Sequence, residues 1–218
     1  MTTASDMIGW TGLQYFGRTI ASMSHELKNA LAIIKENAGL LNDYLLMIDK
    51  GMPLQPERLK IVADRIEQQT QRADALIKYL NRFGHSIDEA VTSVDLNEMA
   101  GLLATLSFRE VAMQQATLHV RAEQSPVVVK TTPFWLLTLL GHCLTFGLRT
   151  LGKNKTLTLS VLKSHEGGMI QIEQQEAMRD MPQEAFPGES EVALLEAINA
   201  SCHIDPERGT LLIKLSNR

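Results

Sequence analysis

The stretch SHELKNALAII, at residues 24–34, places side chains capable of chemistry directly before apolar sequence. His25 carries an imidazole, which is a nucleophile near neutral pH. Glu26 supplies a carboxylate that can hold one ring nitrogen protonated and leave the other nitrogen free to attack. Asn29 supplies an amide that can orient water or a phosphoryl oxygen. Nucleophilic or acid–base chemistry is therefore open to this stretch, with Lys28 as a nearby cation.

Helical geometry places these side chains relative to the apolar residues. A helix advances about 100° per residue, so His25 lies roughly opposite Ile34. Asn29 follows His25 by one turn and shares its face, and Lys28 borders that face. We therefore expect His25 to point into solvent or toward a visiting partner. A plain solvated helix surface has the same spacing, so spacing alone does not separate the two interpretations.

Two long amphipathic helices are predicted to position this face. The apolar residues of the first helix follow a heptad stripe: Ile20, Leu27, Leu31, Ile34, Ala38, Leu41, Leu45 and Ile48. The second helix shows the same rhythm, with one polar interruption at Gln69: Leu59, Val62, Ile66, Gln69, Ala73, Leu76, Leu80 and Phe83. Gly51, Pro53 and Pro56 lie between the two helices, which predicts an antiparallel hairpin.

A second apolar strip runs beside the first on helix one, at Ile33, Leu40, Tyr44 and Met47. One partner helix cannot cover so wide a face. Two hairpins can cover it by pairing into a four-helix bundle, so we expect a homodimer.

The chain changes character after residue 88. We predict strands in ATLHVRAE, PVVVK, LTLSVLKS, MIQIEQ and TLLIKL, and helices over 96–113, 134–151 and 190–201. A polar loop from Glu176 is expected to be mobile. This pattern indicates a sheet covered by helices on one face. The predicted fold class is α+β, with a hairpin domain at 1–88 and an α/β domain at 89–218.

Composition narrows the function classes. The 218 residues carry a net charge of −4, which gives no electrostatic case for nucleic acid. Cys143 and Cys202 fit no metal-ligand spacing. The N-terminus lacks a signal-peptide pattern, and the apolar run at 134–148 is shorter than the roughly 20 residues of a bilayer span. We expect a cytoplasmic protein.

SHELKNALAII resembles the H-box of two-component sensor histidine kinases, in which a histidine-glutamate pattern opens a dimeric helical hairpin. The segment QQTQRADALIKYLNRF, with Arg72, looks like the second dimerisation helix of that family, and DLNEMAGLLATL resembles the start of its ATPase-like domain. The resemblance implies that His25 accepts a phosphoryl group. Ala30 stands where the family usually has proline, so a local bend is not expected from the sequence.

The second half departs from the family at the nucleotide site. His142 and Phe146 stand at the two asparagine positions of the family's nucleotide-binding helix, and Phe146 has no oxygen for magnesium. Gln174 falls near the position of the aspartate that reads adenine, and Glu176 and Met178 replace loop glycines. The chain is predicted to have no nucleotide-binding residues, no cofactor and no metal.

The predicted function is a phosphorelay protein, similar to dimeric histidine phosphotransferases that carry a vestigial ATPase-like domain. His25 would exchange phosphoryl groups with aspartates of response-regulator receiver domains, Glu26 would set the tautomer, and Lys28 would offset phosphoryl charge. Three alternatives stay open. They are a phosphatase of a phosphorylated receiver with Asn29 as water positioner, a true ATP-dependent kinase with a divergent site, and a non-catalytic receiver-binding dimer.

Overall fold

The computed structural model describes residues 3–53, 55–88, 90–178 and 186–216. The chain divides into two compact units. One consists of Ile20–Asn81, and the other combines Met1–Thr19 with Arg82–Arg218. The predicted division at residue 88 stays a prediction. Residues 179–185 of the loop from Glu176 that we expected to be mobile lie outside the described residues.

The first unit is a hairpin formed by residues 20–49 of helix α1 (Ala4–Asp49) and residues 56–81 of helix α2 (Pro56–His85). Pro56 opens α2, where proline fits because the first N–H groups of a helix lack intrahelical partners. The buried side chains between Ile20 and Asn81 include two polar residues among the apolar ones: Met23, Glu26, Ala30, Asn37, Val62 and Ala73. The hairpin therefore packs around a narrow, partly polar seam.

The heptad stripe of the first helix is mostly outside that seam. Leu31, Leu45 and Ile48 are exposed, and on the second helix Leu59 and Ile77 are exposed as well. Ile34 and Leu41 are half-buried. A single hairpin thus leaves a long apolar face in contact with solvent.

The second unit is built on a five-stranded sheet and a separate two-stranded sheet. The elements that follow α2, in chain order, are β1 (Thr92–Asp95), α3 (Leu96–Leu106), α4 (Phe108–Met113), β2 (Thr117–Arg121), β3 (Val128–Thr131), α5 (Pro133–Arg149), β4 (Thr156–Ser164), β5 (Gly167–Gln174), α6 (Glu189–Ala197), β6 (Ala200–Asp205) and β7 (Thr210–Ser216). The large sheet has the strand order β2-β4-β5-β7-β6, in which β2 pairs with β4 in parallel and the other neighbours are antiparallel. β1 pairs with β3 in the two-stranded sheet.

One face of the large sheet carries the core. Along β5 every second residue is buried, which is the period expected when one face packs against helices. Leu159, Ile172 and Leu211 lie side by side across three strands and are almost fully buried. The α+β fold class is therefore confirmed, with helices packed on a mainly antiparallel sheet.

Helix α5 is the centre of this core. Thirteen of its seventeen residues are buried. Gly141 lies directly under the ring of Tyr15, and a Cβ at this position would collide with that ring. Within the described residues, no helix is both long enough and apolar enough to cross a membrane.

Several predicted elements differ from the observed ones. The helix expected over 96–113 is interrupted at Ser107, which caps the end of α3. The helix expected over 190–201 ends at Ala197, because Asn199 has a positive φ of 52° and the chain turns into β6. Strands β1 and β6 were not predicted, and α1 begins sixteen residues before the predicted stripe at Ile20.

Candidate functional site

His25 and Asn29 form a polar pair on the surface of α1. The side chain of His25 is 51% exposed, and Nδ2 of Asn29 lies 3.2 Å from Nδ1 of His25. In this orientation the amide donates to an unprotonated Nδ1. The opposite amide orientation would present an oxygen that accepts from a protonated Nδ1. In both arrangements the contact is made at Nδ1, and Nε2 is not the contacted nitrogen.

Glu26 turns away from solvent and toward α2. Its side chain is only 12% exposed, and its Oε2 accepts a hydrogen bond of 2.7 Å from Nη2 of Arg72. Its other oxygen, Oε1, lies 3.7 Å from Nδ1 of His25. A buried carboxylate requires a partner, because leaving it unpaired in the seam would be costly. The carboxylate is therefore held between the histidine and the second helix.

Lys28 and Ala30 complete the H-box. Lys28 is exposed on the same side of the helix, whereas Ala30 is fully buried in the seam. The helix runs unbroken through Ala30, as expected where alanine stands in place of proline.

In the second unit, Gln174 ends β5 with its amide fully engaged. Its Nε2 donates to the carbonyl of Thr150 at 3.1 Å, and its Oε1 accepts from the N–H of Gly152 at 3.2 Å. The side chain is buried. Gln174 therefore links the end of the sheet to the turn after α5, and both polar ends of its amide are satisfied within the chain.

His142 and Phe146, one turn apart on α5, also have partners within this unit. Nδ1 of His142 lies 2.5 Å from Oε1 of Glu191 on α6, and this hydrogen bond lowers the pKa of Glu191. The Phe146 ring stacks on Phe186, with 4.3 Å between the ring centroids. We call the group of Gln174, His142, Glu191, Phe146 and Phe186 the α5 corner.

Glu176 closes the corner next to Gln174. Its carboxylate accepts from the N–H of Lys153 at 3.1 Å, and a Cβ at Gly152 would collide with it. Its backbone carbonyl lies against Gly209, whose φ of +66° and close approach both require glycine. Backbone and side chains therefore pack tightly at this end of the sheet.

A comparison with protein families identifies the hairpin. The His Kinase A (phospho-acceptor) domain matches residues 17–86. This range contains residues 17–49 of α1 and all of α2. The chain contains a phospho-acceptor domain of the histidine kinase type. It is a histidine kinase-type protein of two-component signalling, and His25 lies on the first helix of its phospho-acceptor domain.

Solved structures similar to this histidine kinase-type chain are remote in sequence. The histidine kinase AdeS of Acinetobacter baumannii has 14% identity and a TM-score of 0.46, with 88% of this chain and 97% of that chain covered. A bacterial phosphotransferase has 14% identity and a TM-score of 0.48, with 93% and 96% covered. The histidine kinase ThkA in complex with the response regulator protein TrrA has 13% identity and a TM-score of 0.48, with 94% and 63% covered. No curated protein matches the sequence.

The α5 corner does not fit the nucleotide site that the histidine kinase family implies. That site needs an amide or carboxylate oxygen for magnesium and a free carboxylate for adenine. Phe146 offers a ring that is already stacked, and the Gln174 amide is bonded at both ends to the backbone. The sequence singled out these positions, but it did not reveal Glu191, Phe186 and Thr150 as their partners.

Arg72 is the functional candidate whose role the sequence did not indicate. It was noted only as part of the resemblance of the second helix, with no partner assigned. A signal was present, since Glu26 precedes Ile33 by two helical turns and so shares its apolar face, and an acidic residue in a helical seam needs a cation. Only the register between α1 and α2 identifies that cation.

Proposed function

We propose that this histidine kinase-type protein carries a phosphoryl group on His25 and exchanges it with receiver aspartates, without taking it from ATP. The observation that carries the proposal is the exposed His25 ring inside a phospho-acceptor domain, with Asn29 and Glu26 both facing Nδ1. With Nδ1 engaged on the helix side, Nε2 is the nitrogen available to a partner.

The transfer needs few groups from this chain. Nε2 of His25 attacks the phosphorus of a receiver acyl phosphate, the bond from phosphorus to the aspartate oxygen breaks, and the aspartate leaves as a carboxylate. The ring keeps its proton at Nδ1, and the positive charge that it gains on phosphorylation is offset by the nearby Glu26 carboxylate. Phosphoryl transfer depends mainly on positioning and charge stabilisation, and a receiver domain supplies its own aspartate and magnesium. Lys28 offsets phosphoryl charge at the rim of the face.

The packing of the α5 corner supports the absence of an ATP site. Each group at the family's nucleotide positions is already bonded or stacked within the unit. A nucleotide would have to displace these contacts and leave buried polar groups without partners, which costs free energy. In this proposal the α/β unit serves as a docking surface.

The uncovered apolar face of the hairpin supports a homodimer. Leu31, Leu45 and Ile48 are exposed in one chain, and a second hairpin would remove them from water. The proposal also includes the cytoplasmic location predicted from the sequence, with no nucleic acid among the partners.

Phosphate transfer tests the proposal directly. The protein is incubated with radiolabelled ATP and, separately, with a panel of receiver domains that carry radiolabelled aspartyl phosphate. We expect label from a receiver and none from ATP, and no label on His25→Ala. Unchanged phosphoryl flow in His25→Ala would favour the non-catalytic dimer instead.

The family match favours a second candidate, an ATP-dependent histidine kinase. Calorimetric titration with Mg-ATP separates the two hypotheses. Binding in the micromolar range, together with label on His25 from ATP, would replace the phosphotransferase hypothesis with the kinase.

The Asn29–His25 contact favours a third candidate, a phosphatase of the phosphorylated receiver. Asn29→Ala would then abolish receiver dephosphorylation and leave phosphorylation of His25 intact. Hydrolysis by this variant at the wild-type rate would exclude the phosphatase.

A further inference from the structure

The pair between Glu26 and Arg72 joins the two helices of the hairpin beside the proposed acceptor. The two residues are 46 positions apart in sequence, and their hydrogen bond of 2.7 Å crosses the seam. By contrast, the ion pair of Lys78 and Asp74 lies within α2 and on its exposed surface. A pair across the seam fixes both the helix register and the direction in which the carboxylate points.

The carboxylate has two oxygens with different neighbours. Oε2 accepts from Arg72, and Oε1 lies 3.7 Å from Nδ1 of His25. At that separation the contact with the ring is electrostatic rather than a hydrogen bond. A fixed negative charge beside Nδ1 favours the tautomer that carries its proton there, because opposite charges stabilise the protonated nitrogen. In this tautomer Asn29 presents its amide oxygen to the Nδ1 proton, which is the second of the two amide orientations described above. Nε2 then keeps the lone pair that attacks phosphorus.

The guanidinium is suited to hold this geometry. Its planar group of donors binds a carboxylate in a defined direction, whereas a lysine ammonium is a point charge on a flexible stem. The Arg72 side chain is 39% exposed, so part of it reaches solvent while its Nη2 donates to the largely buried carboxylate of Glu26. Without Arg72, the Glu26 side chain would have to turn toward water to remain charged, which would remove its charge from Nδ1.

We propose that Arg72 is a positioning residue for the nucleophile, acting on His25 through Glu26. This inference rests on the proposed function of His25. In this inference a residue on α2 controls the tautomer of His25 on α1. The nucleophilicity of His25 therefore depends on correct pairing of the two helices.

A small phosphoryl donor tests the inference without an identified partner. Phosphoramidate is incubated with the full chain: a ring nitrogen of His25 attacks phosphorus, the P–N bond breaks, and the amine leaves as ammonia with the proton released by the ring. Intact mass follows the phosphorylated fraction over time, and His25→Ala defines the background. For Arg72→Met we expect the rate of His25 phosphorylation at saturating phosphoramidate to fall about 10-fold. This loss is smaller than the full contribution of a positioned acid or base to a reaction. The half-saturating concentration should stay unchanged.

Matched variants separate an effect of Arg72 on the tautomer of His25 from an effect on the stability of the paired helices. Arg65→Met removes a guanidinium two turns earlier on α2 and should keep the wild-type rate. Arg72→Lys should restore part of the rate. The exchange Glu26→Arg with Arg72→Glu restores an ion pair across the seam but moves the carboxylate away from Nδ1, so thermal stability should recover while the rate does not.

The outcomes distinguish this inference from the proposed function. A wild-type rate in Arg72→Met, or recovery of the rate in the charge exchange, would overturn the positioning role and leave the acceptor role of His25 standing. Failure of wild-type His25 to accept phosphate from both phosphoramidate and labelled receivers would overturn the proposed function, and the inference with it.

Discussion

The H-box face of α1 and the α5 corner both contain polar residues at family positions, but they use them in opposite ways. On the H-box face, His25 and Asn29 are exposed, and their contacts leave one ring nitrogen available. At the α5 corner, Gln174 is buried and bonded to the backbone at both ends of its amide. The first arrangement is open to a partner, and the second is closed by the chain itself.

The difference shows how the same residue type can serve binding in one place and packing in another. A polar side chain acts on a partner only if its own protein leaves a donor or acceptor unused. His142 illustrates the closed case, since Nδ1 is held by Glu191 and Nε2 is buried without a partner among the described residues. His25 illustrates the open case.

The largest expected effect comes from removing the aromatic stack at the corner. Phe146 is buried and stacks on Phe186, so Phe146→Ala should lower the free energy of unfolding by about 3–5 kcal/mol. Chemical denaturation measures this loss. Phosphorylation of His25 by a labelled receiver should continue in the variant wherever the fold persists.

Phe108→Ala is the matched control, because Phe108 is exposed in the same unit. Its unfolding free energy should change by no more than about 0.5 kcal/mol. A loss of similar size in both variants would contradict the contrast between packed and open aromatic residues. Gain of Mg-ATP binding in Phe146→Ala would indicate that the ring merely covers an intact nucleotide site.

The hairpin and the main strands were predictable because their signals are periodic. The heptad rhythm indicated both long helices, and alternation in MIQIEQ indicated β5. What failed depends on single residues and on contacts distant in sequence. Ser107 divides one predicted helix, and Asn199 ends another through its left-handed backbone conformation. Short edge strands such as β1 carry too few residues for a period to appear.

The candidate site shows the same limit. The exposed face of His25 follows from its angle to the apolar stripe, and the structure places His25 and Asn29 in contact on that face. The pairing of Glu26 with Arg72 did not follow from neighbouring residues, because the register between the two helices sets it. The partners at the α5 corner likewise come from β5, α6 and the turn after α5, which only the tertiary fold brings together.

An intermediate effect should follow from removal of the Gln174 amide. Gln174→Leu leaves the carbonyl of Thr150 and the N–H of Gly152 buried without their present partners. The expected cost is about 1–3 kcal/mol in unfolding free energy. Denaturation of Gln175→Leu provides the control, since Gln175 is exposed and should tolerate the change. Equal stability of both variants would mean that the buried amide is dispensable and that the corner is less closed than its contacts indicate.

The smallest expected effect is a change in acid sensitivity at the same corner. The hydrogen bond from His142 lowers the pKa of Glu191 relative to its ordinary value. A carboxyl group with a lowered folded-state pKa adds stability above its unfolded pKa, and this stability is lost as the pH falls through the folded value. Glu191→Gln should therefore flatten the loss of stability at about pH 4 and below, measured as denaturation midpoints over an acid series. Glu189→Gln, an exposed change on the same helix, should keep the wild-type slope. Identical slopes in wild type and Glu191→Gln would show that the pair contributes no acid sensitivity, and the closed character of the corner would then rest on Gln174 and Phe146 alone.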